Sequence, residues 1–237
     1  MYEKYLKQTE TSRWELSSAI QWSAIKPDQN DKKAIQLLEN AALIESFAPV
    51  FVMRGLSAWW DKVDESAIAS IQFYDEYKHF YAIRKYLSLC GVQINDKKVI
   101  ELRKKGYQSQ KDTDKYRYLA NYMISEHFTA HFYMRLLEII HEENLYKLIV
   151  LIMQDEYRHC NIFYSLLEKH MISDREEVVQ SIFYEATNFV HFGVEVVGDK
   201  MPQVEKNDFE VLLTLDKKIK SLTGMSIREY KMSEYEK

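Results

Sequence analysis

Glycine and proline are scarce, at six and three among 237 residues. A chain with so few turn formers and so much Leu, Ile, Glu, Lys, Ala and Met reads as helices joined by few tight turns. Cysteine is almost absent. Cys90 and Cys160 cannot build a disulfide framework, which makes a reducing compartment the expectation. Charge of one sign is missing too: a net charge of −4 and a pI near 6.0 exclude a general pull toward nucleic acid or anionic lipid. The opening residues, MYEKYLKQTETSRWEL, hold no apolar signal segment. No uninterrupted apolar run reaches membrane-spanning length. There is no Gly-rich phosphate loop, no nucleophile elbow and no zinc-type Cys cluster. No low-complexity stretch or long linker divides the chain, so residues 1–237 are expected to form one all-α, cytoplasmic domain.

The helical pattern is legible in some detail. Thr11-Ser12 before an amphipathic run predicts a leading helix over 12–25, ended by Lys26-Pro27-Asp28. Asp31 is placed to cap a long helix running through Glu45 toward Trp59-Trp60. Pro49 lacks the N–H that would bond the carbonyl of Glu45, so this helix is expected to kink or loosen there. A second helix should follow Asp61-Lys62-Val63-Asp64 and reach Cys90-Gly91. The polar stretch 92–115 holds a shorter helical piece, KKVIELRKKG, closed by Gly106. A third helix is expected over 114–140 and a fourth over 145–171, with His141-Glu142-Glu143-Asn144 between them. Two further amphipathic stretches, 174–198 and 206–221, complete the chain. Val178, Ile182, Phe183, Phe189, Val190 and Val194 give the first an apolar face that must cover the bundle or a partner subunit.

What is present in full is a repeated motif. Asp75-Glu76-Tyr77-Lys78-His79 returns as Asp155-Glu156-Tyr157-Arg158-His159. Glu-x-x-His on a helix sets a carboxylate and an imidazole on one face, one turn apart. Two such pairs plus one Glu from each of two further helices form the four-carboxylate, two-histidine cage of a dinuclear metal site. Glu45 and Glu126 supply the extra acids. Antiparallel helices that bring residues to one level must turn midway between them in sequence. The midpoint of Glu45 and Glu76 falls at Trp60-Asp61, and that of Glu126 and Glu156 at His141. Both are turn-like. The roughly 50 residues between Glu76 and Glu126 suit one long crossover between two helical hairpins, as in ferritin-like bundles.

Chemistry around the motifs points the same way. Glu45 sits among Ala41, Ala42, Leu43, Ile44, Phe47 and Ala48, where an unpaired carboxylate is costly and a metal offsets the cost. A ligating imidazole needs an acceptor on its other nitrogen. Asp155 is positioned for His79 and Asp75 for His159, with Lys78 and Arg158 either balancing these acids or lying solvated. Carboxylate-rich, imidazole-poor ligands suit two Fe, or Mn with Fe, better than zinc. Ala41, Ala42, Ala48, Ala69 and Ala130, on or beside the ligand faces, mark either close helix packing or a cavity for an organic substrate. His127, His131 and His141 are read as ordinary polar or partly buried residues.

The order Glu, Glu-x-x-His, Glu, Glu-x-x-His resembles the ferritin-like di-iron carboxylate superfamily, over residues 31–171. The resemblance implies metal ligands Glu45, Glu76, His79, Glu126, Glu156 and His159, with Glu76 and Glu156 bridging. Thr129, in Glu126-x-x-Thr129, is similar to a helix-three threonine associated with oxygen activation in desaturases and monooxygenases. A radical tyrosine of the reductase type would fall at position 83, which is Ile83; Tyr122 and Tyr133 share the face of Glu126 instead. The implied function is an O2-dependent oxidase or oxygenase with two Fe, or Mn and Fe, acting on a small or lipid-like organic substrate. It would draw on an external electron donor, the chain having no flavin or iron–sulfur motif, and work as a homodimer. The alternative is a ferroxidase or iron-storage protein of the bacterioferritin or rubrerythrin type.

Overall fold

The computed structural model describes residues 2–108, 114–189 and 209–235. All regular structure among them is helical. The leading helix, α1, spans Tyr2–Ser12 rather than 12–25. The hydroxyls of Thr11 and Ser12 bond back to the carbonyls of Lys7 and Gln8, so this pair closes a helix where the sequence suggested it opens one. Residues 13–31 then cross the bundle without a full helix.

The expected long first helix is two helices, α2 (Lys32–Glu45) and α3 (Ala48–Ala58). Pro49 cannot donate to the Glu45 carbonyl, and the chain makes a turn at Ser46-Phe47 before Pro49 enters the first turn of α3, a position proline favours. Arg103 donates from Nε to the Ser46 carbonyl at 2.6 Å, so a residue from the crossover supports the break. Asp31 stands at the start of α2, but its carboxylate does not cap it. It accepts instead from the backbone N–H groups of His141 and Glu142 at 2.7 and 3.0 Å, pinning the turn between the other two bundle helices.

Three long elements follow: α4 (Val63–Leu89), α6 (Lys115–Leu136, capped by Asp114) and α7 (Glu143–His170). Between α4 and α6 lies α5 (Asp96–Gln108), which runs two residues past Gly106. Turns fall at 59–62 and around 140–142, as the midpoints required. The run Gln29–Ala58 is long and apolar enough in composition to cross a membrane, contrary to the reading above. More than half of its most apolar window is buried inside the bundle, as expected of a core helix that carries Glu45.

Beyond the four-helix core come α8 (Arg175–Asn188), α9 (Phe209–Thr223) and α10 (Ile227–Tyr235). Val178, Ile182 and Phe183 of α8 are fully buried against the bundle, each worth about 1.5–3 kcal/mol of burial. Arg117 and Asn121 of α6 clasp the buried Glu185 at 2.8 and 2.7 Å. The expected helix over 174–198 is thus seen to Asn188; Val190, Val194, Gly198 and Pro202 lie outside the described residues.

Apolar side chains form two separate clusters, one at each end of the bundle. One holds Leu38, Leu43, Ile83, Tyr86, Leu145 and Ile149; the other holds Ile68, Leu119, Met123, Phe163, Leu166 and Ile182. On each of α4, α6 and α7 the switch from one cluster to the other falls at the motif residues. A polar layer therefore crosses the bundle at mid-height.

Candidate metal centre

All six sequence-derived ligand candidates lie in that layer. Ligand atoms of Glu45, Glu76, His79 and Glu156 come within 4.8 Å of one another, and so do those of Glu76, Glu126, Glu156 and His159. Glu76 and Glu156 belong to both groups. The Oε1 of Glu156 is 3.1 Å from His79 Nδ1, and its Oε2 is 3.4 Å from His159 Nδ1, so this carboxylate spans the two halves. Glu76 Oε1 lies 3.1 Å from His159 Nδ1.

Both imidazoles are oriented from behind. His79 Nε2 meets Asp155 at 3.0 Å and His159 Nε2 meets Asp75 at 3.3 Å, the crossed pairing expected of the motif. With each Nε2–H given to an aspartate, each Nδ1 lone pair faces the cage. Lys78 and Arg158 are drawn inward rather than solvated. Lys78 reaches Asp75 at 2.9 Å and Asp155 at 3.2 Å. Arg158 binds Asp75 at 2.6 Å and also Asp155. Asp155 further accepts from Trp14 Nε1 at 2.7 Å, and Arg158 donates to Ser12 Oγ at 2.9 Å, which ties the amino-terminal segment to the site.

Neutral donors hold the two remaining acids. Tyr133 donates its hydroxyl to Glu45, and Gln72 donates to Glu126 at 2.8 Å. Gln72 and Trp14 were missed in the sequence. Gln72 had a signal, since it lies one turn before Glu76 on the same face of α4; Trp14 had none, because it reaches the site from an irregular segment. Tyr122 is buried against Phe51, Tyr118 and Phe163. Gly55 leaves room beside it: a Cβ there would stand 2.3 Å from the Tyr118 hydroxyl. Thr129 gives its hydroxyl to the carbonyl of Ser125 at 3.0 Å. His127 packs under α9, 3.0 Å from the carbonyl of Val211, and the His131 ring lies tilted beside it; neither joins the cage. The five alanines are buried, and none of them borders the opening beside the site. The opening beside the site is walled by Tyr5, Ile68, Ile71, Gln72, His159, Ile162 and Phe163, from α1, α4 and α7.

The cage is built to hold positive charge. Burial, then Glu76 and Glu156, raise Glu45 well above the ordinary carboxylate range. Burial, then Glu156 and Glu76, do the same to Glu126. Burial opposes charge on His79 and His159, but the surrounding carboxylates outweigh it and raise both. Burial also opposes charge on Glu156, where His79 and His159 prevail and hold it low. A metal fits this donor set on a direct observation. Nδ1 of both histidines, Oε1 of Glu76 and both oxygens of Glu156 are buried without a hydrogen-bond partner, an arrangement that is costly unless a cation takes those lone pairs.

No family model and no curated protein matches the sequence. The structure, by contrast, is similar to the crystal structure of an R2-like ligand-binding oxidase from Sulfolobus acidocaldarius, with a TM-score of 0.62 and 13% identity. The match covers 96% of this chain and 92% of that one. The shared fold is a ferritin-like helical one.

Proposed function

We propose that the chain is a dinuclear non-haem iron, or Mn/Fe, oxidase or oxygenase that uses O2 on a small or lipid-like organic substrate. The observation that carries this is the pair of four-donor groups sharing Glu76 and Glu156, with their buried lone pairs otherwise unpartnered. Four carboxylates and two neutral imidazoles match two divalent cations in charge, and oxygen-rich donors favour Fe and Mn. Glu45 and His79 would hold one ion, Glu126 and His159 the other, with Glu76 and Glu156 between them.

When bound, the two reduced metals supply the electrons and open positions needed for O2 activation. The side chains do the rest. Asp75 and Asp155 fix the two rings and keep their Nδ1 lone pairs inward. Lys78 and Arg158 neutralise those aspartates, so that the pair does not repel electron density from the cage. Tyr133 and Gln72 hold the terminal carboxylates by single neutral hydrogen bonds, which leave Glu45 and Glu126 free to alter their mode of binding. Apolar layers above and below exclude water. Electrons for a second turnover come from an external donor. The similarity, over nearly the whole chain, to a protein described as a ligand-binding oxidase supports a bound ligand besides the metals.

The test is anaerobic titration of the full-length protein with Fe(II) or Mn(II), followed by calorimetry and metal analysis. Two metals per chain are expected. Burial and neighbouring acids raise the pKa of Glu45 and Glu126, and the surrounding carboxylates raise those of His79 and His159, so metal and protons compete for these donors. Affinity should therefore rise with pH and protons should be released. Fewer than about one metal per chain in the presence of excess metal would sink the proposal. Size in solution separates the iron-handling alternative: a large shell taking up many irons per subunit would favour storage over oxidation.

Thr129 is the candidate for moving a proton at the site, which requires its hydroxyl to leave the Ser125 carbonyl. Thr129→Val should slow oxidation of the reduced protein by O2 on the order of 10²-fold while two metals stay bound, a general acid–base contribution being typically about 10²–10⁴. An unchanged rate would reduce Thr129 to a helix-stabilising residue.

A further inference from the structure

The cavity beside His159 has no part in holding metal, and its chemistry is specific. Ile68 and Ile71 of α4, Ile162 and Phe163 of α7 and the ring of Tyr5 form almost the whole wall, and the space is about that of one water-sized molecule. Apart from Tyr5, the polar residues that border it, Gln72 and His159, are engaged elsewhere. Gln72 donates to Glu126 at 2.8 Å, and His159 Nε2 is turned to Asp75. A buried water needs two to four polar partners and finds none among hydrocarbon walls, whereas a small apolar molecule loses nothing by entering. The cavity is also too small for an organic substrate of any length.

We propose that this cavity is a binding site for dioxygen, from which the gas reaches the half of the cage formed by Glu126 and His159. The inference rests on the oxidase reading for its purpose, but not for its test. His159 borders both the cavity and the cage, so a molecule leaving the cavity past its ring arrives among Glu76, Glu126 and Glu156. The opposite half is covered differently. There, Trp14 lies parallel to the His79 ring at 6.4 Å, and Tyr133 closes over Glu45. Tyr5, which is buried, makes α1 the cover of the oxygen site. The same amino-terminal segment is fastened to the polar layer two turns later through Ser12 and Trp14. The two metal positions thereby differ in access, with gas entering on the His159 side.

Dioxygen is paramagnetic, so its residence in a cavity shortens the relaxation of nearby methyl protons without any metal or turnover. The experiment uses the full-length chain, labelled at isoleucine δ1 methyls and free of paramagnetic metal, under O2 and then under N2. Ile68 and Ile162 should gain several-fold more relaxation than Ile83, Ile124 and Ile149, which are as deeply buried but away from the cavity. Equal enhancement in both groups would overturn the proposal. Ile162→Phe, which fills the space, should erase the excess at Ile68. In Fe(II)-loaded protein the same variant should slow oxidation by O2 about tenfold with metal content unchanged. An unaltered rate would show that oxygen enters elsewhere and would overturn the proposal as well. Failure of the chain to bind two metals would end the oxidase reading and leave the relaxation result standing.

Discussion

Alanine at His79, or separately at His159, is expected to abolish stable loading of two metals while the bundle remains folded. Each ring presents one Nδ1 to the cage, so its loss takes a ligand from one four-donor group. It also strips a partner from the aspartate behind it, Asp155 or Asp75. Outer partners of this kind are worth about 10–100-fold in affinity on their own, and the lost ligand adds to that. Metal analysis after desalting should find one ion or fewer per chain. His127→Ala and His131→Ala provide the contrast, because the His127 ring serves the contact with α9 and the His131 ring packs against His127 and Tyr157. Retention of two metals in His79→Ala, or an equal loss in the His127 and His131 variants, would show the ligand assignment to be wrong.

The second large effect is expected at Asp155. Its carboxylate meets Trp14, His79, Lys78 and Arg158, and it is almost fully buried. Burial alone would raise its pKa, but the partners, His79 first, hold it far below the ordinary carboxylate range. Asp155→Asn keeps the shape and removes the charge, leaving Lys78 and Arg158 facing Asp75 alone. Breaking a buried ion pair typically costs about 3–5 kcal/mol, and denaturant unfolding of the full chain should show a loss of that order. The wild-type contribution has a defined pH window. Because the folded-state pKa is depressed, the stabilisation is complete above the ordinary aspartate value and fades as pH falls below it. The gap between wild type and Asp155→Asn should therefore narrow in acid. A loss under about 1 kcal/mol, or a gap independent of pH, would mean that the network stabilises little.

Much of the site was legible because helices turn spacing into geometry. Glu76 and His79, like Glu156 and His159, had to share a face, and the midpoint rule placed Glu45 and Glu126 at the same level before any coordinates existed. The crossed aspartates followed from what an imidazole needs behind it. Where the reading failed, the determinant was not periodic. Thr11 and Ser12 are as good at closing a helix as at opening one. Pro49 signalled a disturbance, but whether the helix bends or stops is decided by what can receive the freed carbonyls, and Arg103 comes from far along the chain. Asp31 looked like a local cap and serves a turn more than a hundred residues away. Trp14 and Tyr5 act through tertiary contacts of irregular or terminal segments. Gln72 was visible on the right face, but a neutral amide carries no motif.

The crossed pairing of histidine and aspartate also sets an order of events during synthesis. His79 emerges from the ribosome with Glu45 and Glu76, but its partner Asp155 follows 76 residues later and His159 finds Asp75 across a separation of 84. At about 5–20 residues per second, several seconds pass in which the first hairpin exists without the second. During that interval its imidazole has no fixed tautomer and its carboxylates no facing helix. A half-made hairpin is therefore a poor trap for stray ions, and capture of metal coincides with closure of the whole bundle. Both metal positions mature together, once α7 has been made and has closed on the first hairpin, when the protein can first exclude the wrong reaction partners.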